Sequence, residues 1–167
     1  MSVRSWQPLL QHALFKEGYL TAQDVSAVFA VQLIVNDDPA SVADVCCAPG
    51  GKLSALRQYC PSRVPVHGYD RSEKRLEETR ENLARLNMPD IPLRKADAAG
   101  DVFPRYSHIL ADVPCSGFGV IRKRSDLRWR RKAEDMQTLR ETQRQILENM
   151  CRYLETGGMI VYSTLHV

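Results

Sequence analysis

The stretch Asp44-Val45-Cys46-Cys47-Ala48-Pro49-Gly50-Gly51-Lys52 decides the reading of this chain, because it joins an apolar run to a helix-forming one through a glycine-rich turn. Val42, Ala43, Val45 and Cys46 form a short run of the kind found in a buried strand, and Pro49-Gly50-Gly51 turns the backbone where side chains would obstruct a ligand. A helix over 52–59 would aim its unpaired N–H groups at whatever occupies the turn. The stretch is neither the GxxxxGK[ST] phosphate loop nor the GxGxxG dinucleotide fingerprint. Taken alone it fits either a cofactor cradle or a tight strand-to-helix connection.

Downstream, strand-like and helix-like segments alternate. A second strand is expected over 64–69, ending at Asp70, and a helix over 72–86 carries Leu76, Leu83 and Leu86 on one face. Short strands over 92–96 and 106–111 end at Asp97 and Asp112. A long helix over 133–154 repeats apolar residues at close to 3.6-residue spacing, Gly157-Gly158 is expected to stop it, and a fifth strand follows over 159–164. Upstream, a helix over 21–35, capped by Thr21, is expected to pack over the sheet edge. This alternation predicts a Rossmann-like α/β fold with a mainly parallel, doubly wound sheet. Residues 1–40 read as a helical lead-in and 41–167 as a single compact unit.

In such a sheet the carboxyl ends of the strands converge on one crevice. Asp70, about 20 residues after the glycine turn, is suited to accept hydrogen bonds from both hydroxyls of a ribose. Asp97 is suited to meet an adenine amino group or nearby backbone. Any one strand-end aspartate serves equally well as a turn or helix cap, but three in register with a glycine loop point to a ligand.

Composition sets outer limits. The 167 residues, 44% hydrophobic and 26% charged, suit one globular core, with no apolar run near the ~20 residues of a membrane span. The first residues lack the apolar core of a signal peptide. Five cysteines, with Cys46 and Cys47 adjacent and no CxxC spacing, give neither a disulfide framework nor a metal site, and a reducing cytoplasm fits best. The net charge of +3 is modest, but Arg122, Lys123, Arg124, Arg128, Arg130, Arg131 and Lys132 crowd together against the single acid Asp126. With Trp129 among them they read either as a track for a nucleic-acid backbone with a stacking face, or as a solvated lead-in to the long helix.

The run Asp112-Val-Pro-Cys-Ser-Gly-Phe-Gly-Val-Ile-Arg-Lys-Arg-Ser-Asp-Leu-Arg-Trp129 resembles the signature of the RNA cytosine-5 methyltransferases of the Sun/NSUN, RsmB-like type, with Ser125 in place of the usual proline. Cys46 to Lys52 resembles their C-A-A-P-G-G-K cofactor loop, Phe15-Lys-Glu-Gly18 with Gln23-Asp24 resembles their lead-in, and Arg75 falls where they keep an arginine. The resemblance implies a site for S-adenosylmethionine formed by Cys46, Cys47, Ala48, Pro49, Gly50, Gly51, Lys52, Asp70, Arg75, Asp97 and Asp112. It also implies an RNA partner, ribosomal or transfer RNA, lying along the basic stretch.

Cytosine C5 is too weak a nucleophile to take a methyl group from a sulfonium unaided, so a thiolate must first add to C6. Cys115, beyond the strand-end proline and beside the basic stretch, is the candidate thiol, and Asp112, protonated or hydrogen-bonding near N3, the candidate for steadying charge on the ring. The family's own nucleophile lies in a Thr-Cys-Ser motif after the fifth strand, where this chain has Thr164-Leu165-His166. Either Cys115 serves as nucleophile, or the chain is a catalytically silent relative that binds cofactor or RNA, or it is truncated at its C-terminal side. The fold normally adds an antiparallel strand pair after the fifth strand. The exposed edge of that strand is therefore expected to be covered by the N-terminal helix, a second copy or another partner chain.

Overall fold

The computed structural model describes residues 7–115 and 133–164. Five strands, β1 (Val42–Asp44), β2 (Val66–Asp70), β3 (Leu93–Lys95), β4 (Tyr106–Asp112) and β5 (Leu154–Ser163), form one sheet in the order β3-β2-β1-β4-β5. Every neighbouring pair is parallel. The reversal of order between β1 and β4 opens a crevice beyond the carboxyl ends of the strands.

Six helices accompany the sheet among the described residues: α1 (Gln7–Gln11), α2 (Ala13–Lys16), α3 (Val25–Val35), α4 (Gly51–Tyr59), α5 (Glu73–Arg85) and α6 (Ala133–Tyr153). One face of the sheet is covered by α3, α4 and α5 through Val31, Ile34, Leu53, Leu56, Leu76 and Leu83, each at most 1% exposed. Ile146 and Met150 of α6 pack on the other face with Tyr69, Phe103, Tyr106 and Ile109. Helices on both faces explain why β4 is buried along almost its whole length, the polar Ser107 and His108 included. Gly68 on β2 lets α4 and β3 close in, since a Cβ there would lie 2.6 Å from the side chains of both Leu53 and Leu93.

Two boundaries differ from the sequence reading. The helix expected over 21–35 begins at Val25 and is capped by Asp24, which accepts the Ser26 N–H at 3.0 Å, because Gln23 is drawn instead to the glycine loop, donating to the Gly51 carbonyl at 3.0 Å. The glycine pair does not stop the long helix. The helix ends at Tyr153, and Leu154 already pairs with Tyr106, whereas Met159 pairs with His108. The extra residues of β5 form a bulge in which Gly157 has φ +80° and a Cβ on Gly158 would lie 2.3 Å from the Ser107 carbonyl oxygen. Backbone crowding against β4 is what requires glycine here.

The histidines read as structural have structural partners. His12 caps α2 by accepting from the Leu14 N–H. His67 is 2.6 Å from the Tyr106 hydroxyl, and His108 bridges Ser107 at 3.0 Å and Asp37 at 2.9 Å. His166 lies outside the described residues. As for the edge, α3 packs over the β4–β5 end of one face through Ile34, Leu110 and Val161, and among the described residues no strand pairs with the outer side of β5.

Candidate active site at the carboxyl ends of the strands

Because β1, β2, β3 and β4 run parallel, their last residues and the loops that follow meet along one edge. A cleft of about 210 Å³ lies there, lined by Val45, Cys46 and Ala48 after β1, Asp70 and Arg75 from β2 and α5, Asp97 after β3, and Asp112 and Cys115 from β4. Of the residues singled out in the sequence, Cys46, Ala48, Asp70, Arg75, Asp97, Asp112 and Cys115 thus share one cleft. Pro49, Gly51 and Lys52 face a second, smaller cavity of about 150 Å³ behind the loop, between it and residues 22–27, which Cys46, Cys47, Ala48 and Asp112 also line. Cys47 is buried at 4% exposure, and Gly50 is buried at the head of α4.

Gly50 caps α4 with φ +94°, and a Cβ on it would lie 2.9 Å from the Thr79 side chain, so the loop needs a residue that accepts the left-handed region and a close neighbour. The loop is then clamped to β2 and α5. Asp70 accepts from the Ala48 N–H at 3.3 Å and the Ser72 N–H at 2.9 Å, and its carboxylate meets Arg75 at 3.3 Å. Arg75 also donates to the Ala48 carbonyl. The sequence marks Asp70 and Arg75 as ligand contacts, and the structure adds that they hold the loop. Asp97 sits exposed on the rim, where its carboxylate accepts the Ala99 N–H at 2.9 Å.

Asp112 accepts from Lys52 Nζ at 2.6 Å in an ion pair whose side chains are 29% and 18% exposed. Beyond it, Gln143 of α6 donates to the Pro114 carbonyl at 2.8 Å and fixes the turn that presents Cys115, which is half-buried. The thiols separate by environment. Burial first, then Asp44, Asp70 and Asp112, push Cys46 up to about 12, and burial pushes Cys47 higher still, so both remain thiols. Tyr162 near the end of β5 is pushed up by burial and then by the charge of Cys115.

Sequence reading assigned no role to Asp44, Gln23, Thr142, Ile146 or Gln143. Asp44 closes β1 at 1% exposure and carries the clearest signal of these, an acid in an otherwise apolar strand. Burial, followed by the Asp112 charge, raises it to about 8, against smaller lowering by the Cys46 N–H and Lys52. The other residues belong to segments distant in sequence and carry no local signal. Arg122, Lys123, Arg124, Arg128, Trp129, Arg130, Arg131 and Leu165 lie outside the described residues. Among the described residues no three His, Cys, Asp or Glu side chains are disposed to hold a metal ion, and no helix is long and apolar enough to cross a membrane.

A clamped glycine loop, three strand-end carboxylates and the Cys115 thiol thus lie along one edge of the sheet. Residues 31–167 match the family model described as 16S rRNA methyltransferase RsmB/F. The chain belongs to that family. It is 34% identical over 175 residues to ribosomal RNA small subunit methyltransferase B of Proteus mirabilis, spanning 99% of this chain and 40% of that protein. It is 38% identical to the Shewanella oneidensis protein of the same name over 157 residues, 92% of this chain and 36% of that one. The chain therefore spans well under half the length of these curated relatives. Among solved structures, it is similar to NSun6 from Pyrococcus horikoshii with SFG, at 27% identity and TM-score 0.80 over 93% of this chain and 40% of that one. A methyltransferase homolog protein from Pyrococcus horikoshii matches at 31% identity and TM-score 0.76, over 93% and 49%.

Proposed function

We propose that this chain methylates C5 of cytosine in RNA, ribosomal or transfer, using S-adenosylmethionine. The observation that carries the reading is the placing of Cys115 and Asp112 on the same cleft as Asp70 and Asp97, in a chain of the RsmB/F family. The residues fit the cofactor. Asp70, 3% exposed and held by backbone N–H groups, keeps acceptor capacity for ribose hydroxyls, Asp97 stands at the rim for the adenine, and Cys46 and Ala48 give a small-sided wall. When bound, the cofactor supplies an electrophilic methyl group on a cationic sulfur.

The protein's part follows from the geometry. The Cys115 thiolate adds to C6 of the base, forming a C–S bond and making C5 an enamine carbon able to take the methyl group. Asp112, held by Lys52 from the cavity behind the loop, lines the cleft with Cys115 and is the group that orients the base. After methyl transfer the C5 proton is lost to a base and the C–S bond breaks, returning the thiolate. The basic run from Arg122 to Lys132, with Trp129, is read as the RNA contact.

Leu165 in place of the family's second cysteine favours a second reading, a silent binder of cofactor or RNA. Incubation with labelled S-adenosylmethionine and total RNA, beside Cys115→Ala, separates the two. Transfer by the parent, lost by at least ~100-fold in the variant, is expected; cofactor binding without transfer by either protein would favour the silent binder.

A further inference from the structure

Arg94 of β3 is an exposed cation without a counter-ion: among the described residues no carboxylate comes within ion-pair distance of it. It stands on a cavity of about 140 Å³ formed with His67 and Tyr69 of β2 and walled by Pro92 and Pro104, and no acid lines that cavity. The cavity lies on the sheet face against which α6 packs, because Arg94 pairs in register with Tyr69, a residue of the α6-side core, and His67 falls on the same face of β2. Along β2, His67 is roughly 10 Å from Asp70, so the site is separate from the cleft at the strand ends.

A buried relay holds the imidazole. The hydroxyls of Tyr69 and Tyr106 are 2.6 Å apart, and that of Tyr106 is 2.6 Å from His67 Nδ1, with the two tyrosines 4% and 2% exposed. If Tyr106 donated to Tyr69, the Tyr69 O–H would be left without an acceptor among the described residues. Both protons are used when Tyr69 donates to Tyr106 and Tyr106 donates to Nδ1, which puts the proton of the neutral imidazole on Nε2. His67 thus has a structural partner on one nitrogen and an unused N–H donor on the other. A guanidinium fork and an imidazole N–H on one acid-free cavity suit an oxyanion.

We propose that Arg94 and His67 form a binding site for a phosphate group, with the Arg94 fork and the His67 Nε2–H as its donors and Tyr106 and Tyr69 as positioning residues. A carboxylate is satisfied in the plane of the fork, whereas a tetrahedral phosphate keeps further oxygens for a donor on the neighbouring strand. The same chemistry is carried by a backbone phosphate of RNA and by a free phosphate ester. The charged and titratable groups around His67 are Arg94, Tyr69 and Tyr106, with Arg57, Arg63 and Asp90 on an adjoining cavity of about 560 Å³ that shares His67 and Pro92. Burial and then Arg94 hold the His67 ring below its usual range, and a bound dianion offsets the Arg94 charge, so binding strengthens as pH falls.

The test follows the histidine ring resonances of the chain by NMR while sulfate, whose charge is constant from pH 5 to pH 8, is titrated at fixed ionic strength against chloride. A saturable shift of the His67 ring is expected, with sulfate affinity at least ~3-fold higher at pH 5 than at pH 8. Arg94→Gln, an exposed substitution that leaves the fold intact, should weaken binding by at least ~10-fold. His67→Gln keeps a donor but no titrating ring, and should bind sulfate, read by calorimetry, without the pH dependence. Inorganic phosphate and a single-stranded RNA without terminal phosphates separate the sources: an Arg94-dependent shift with the RNA assigns a backbone phosphate, and one with phosphate alone a free phosphate ester. No shift with sulfate, phosphate or RNA, or an equal shift in Arg94→Gln, overturns the proposal.

Discussion

Asp44, Asp70 and Asp112 end three adjacent strands, yet each carboxyl group is balanced by different means: a retained proton, two backbone N–H groups with an arginine, and a lysine ammonium. Asp44 then makes stability depend on pH with a sign opposite to that of most acids. Its folded value, about 8, lies above the ordinary 3.8, so the folded chain binds more protons between those values and loses stability as pH rises through them. Urea unfolding at pH 5 and pH 9 should show Asp44→Asn less destabilised by the higher pH than the parent, by roughly 2–5 kcal/mol; equal pH dependence would refute this. The same triplet shows how far the site was legible. Cys46, Ala48, Asp70, Arg75, Asp97, Asp112 and Cys115 are found on one cleft because strand-end position is a local property that the alternation of elements reveals. That Lys52 turns to the rear cavity, that Arg75 clamps Ala48, and that Asp44 lacks a cation depend on groups ~20–70 residues apart, whose pairing no local pattern encodes.

The elements themselves were legible where periodicity was long and termini were marked. Helix α5, expected over 72–86, spans Glu73–Arg85 and keeps its Leu76–Leu83 face, and β4, expected over 106–111, spans Tyr106–Asp112. The exception is the Gly157-Gly158 pair. Glycine signals a helix stop and a strand bulge with the same letter, and only the approach of Ser107 tells which applies. Gly158→Ala should therefore destabilise by about 1–3 kcal/mol in chemical unfolding and loosen β5 from β4, seen as faster amide exchange over 159–163. A neutral substitution would mean that the bulge has room for a methyl group. Asp24 in place of Thr21 as the cap of α3 carries the same lesson, since the choice follows from the long-range bond of Gln23 to Gly51.

Among the described residues, β5 lies at the margin of the sheet with Val161 buried and Tyr162 40% exposed, and α3 presents Val25, Phe29 and Leu33 at 84%, 63% and 46% exposure. A second copy pairing along β5 is the occupant to test by sedimentation velocity from micromolar to hundreds of micromolar. Concentration-dependent dimerisation, weakened by a proline at Ile160, is expected, and a monomer throughout that range would reject it. The sequence by itself determined the α/β class, the strand ends that would meet, the family and the glycine turn between β1 and α4, because alternation of apolar runs, glycine turns and strand-end acids are short-range features of the chain. Only the tertiary structure decided which cation neutralises which acid, which side of the loop each residue faces and why Asp44 is left with its proton. Those depend on burial and on charges brought together across the sheet, and electrostatic balance in a buried site is a property of all its neighbours at once.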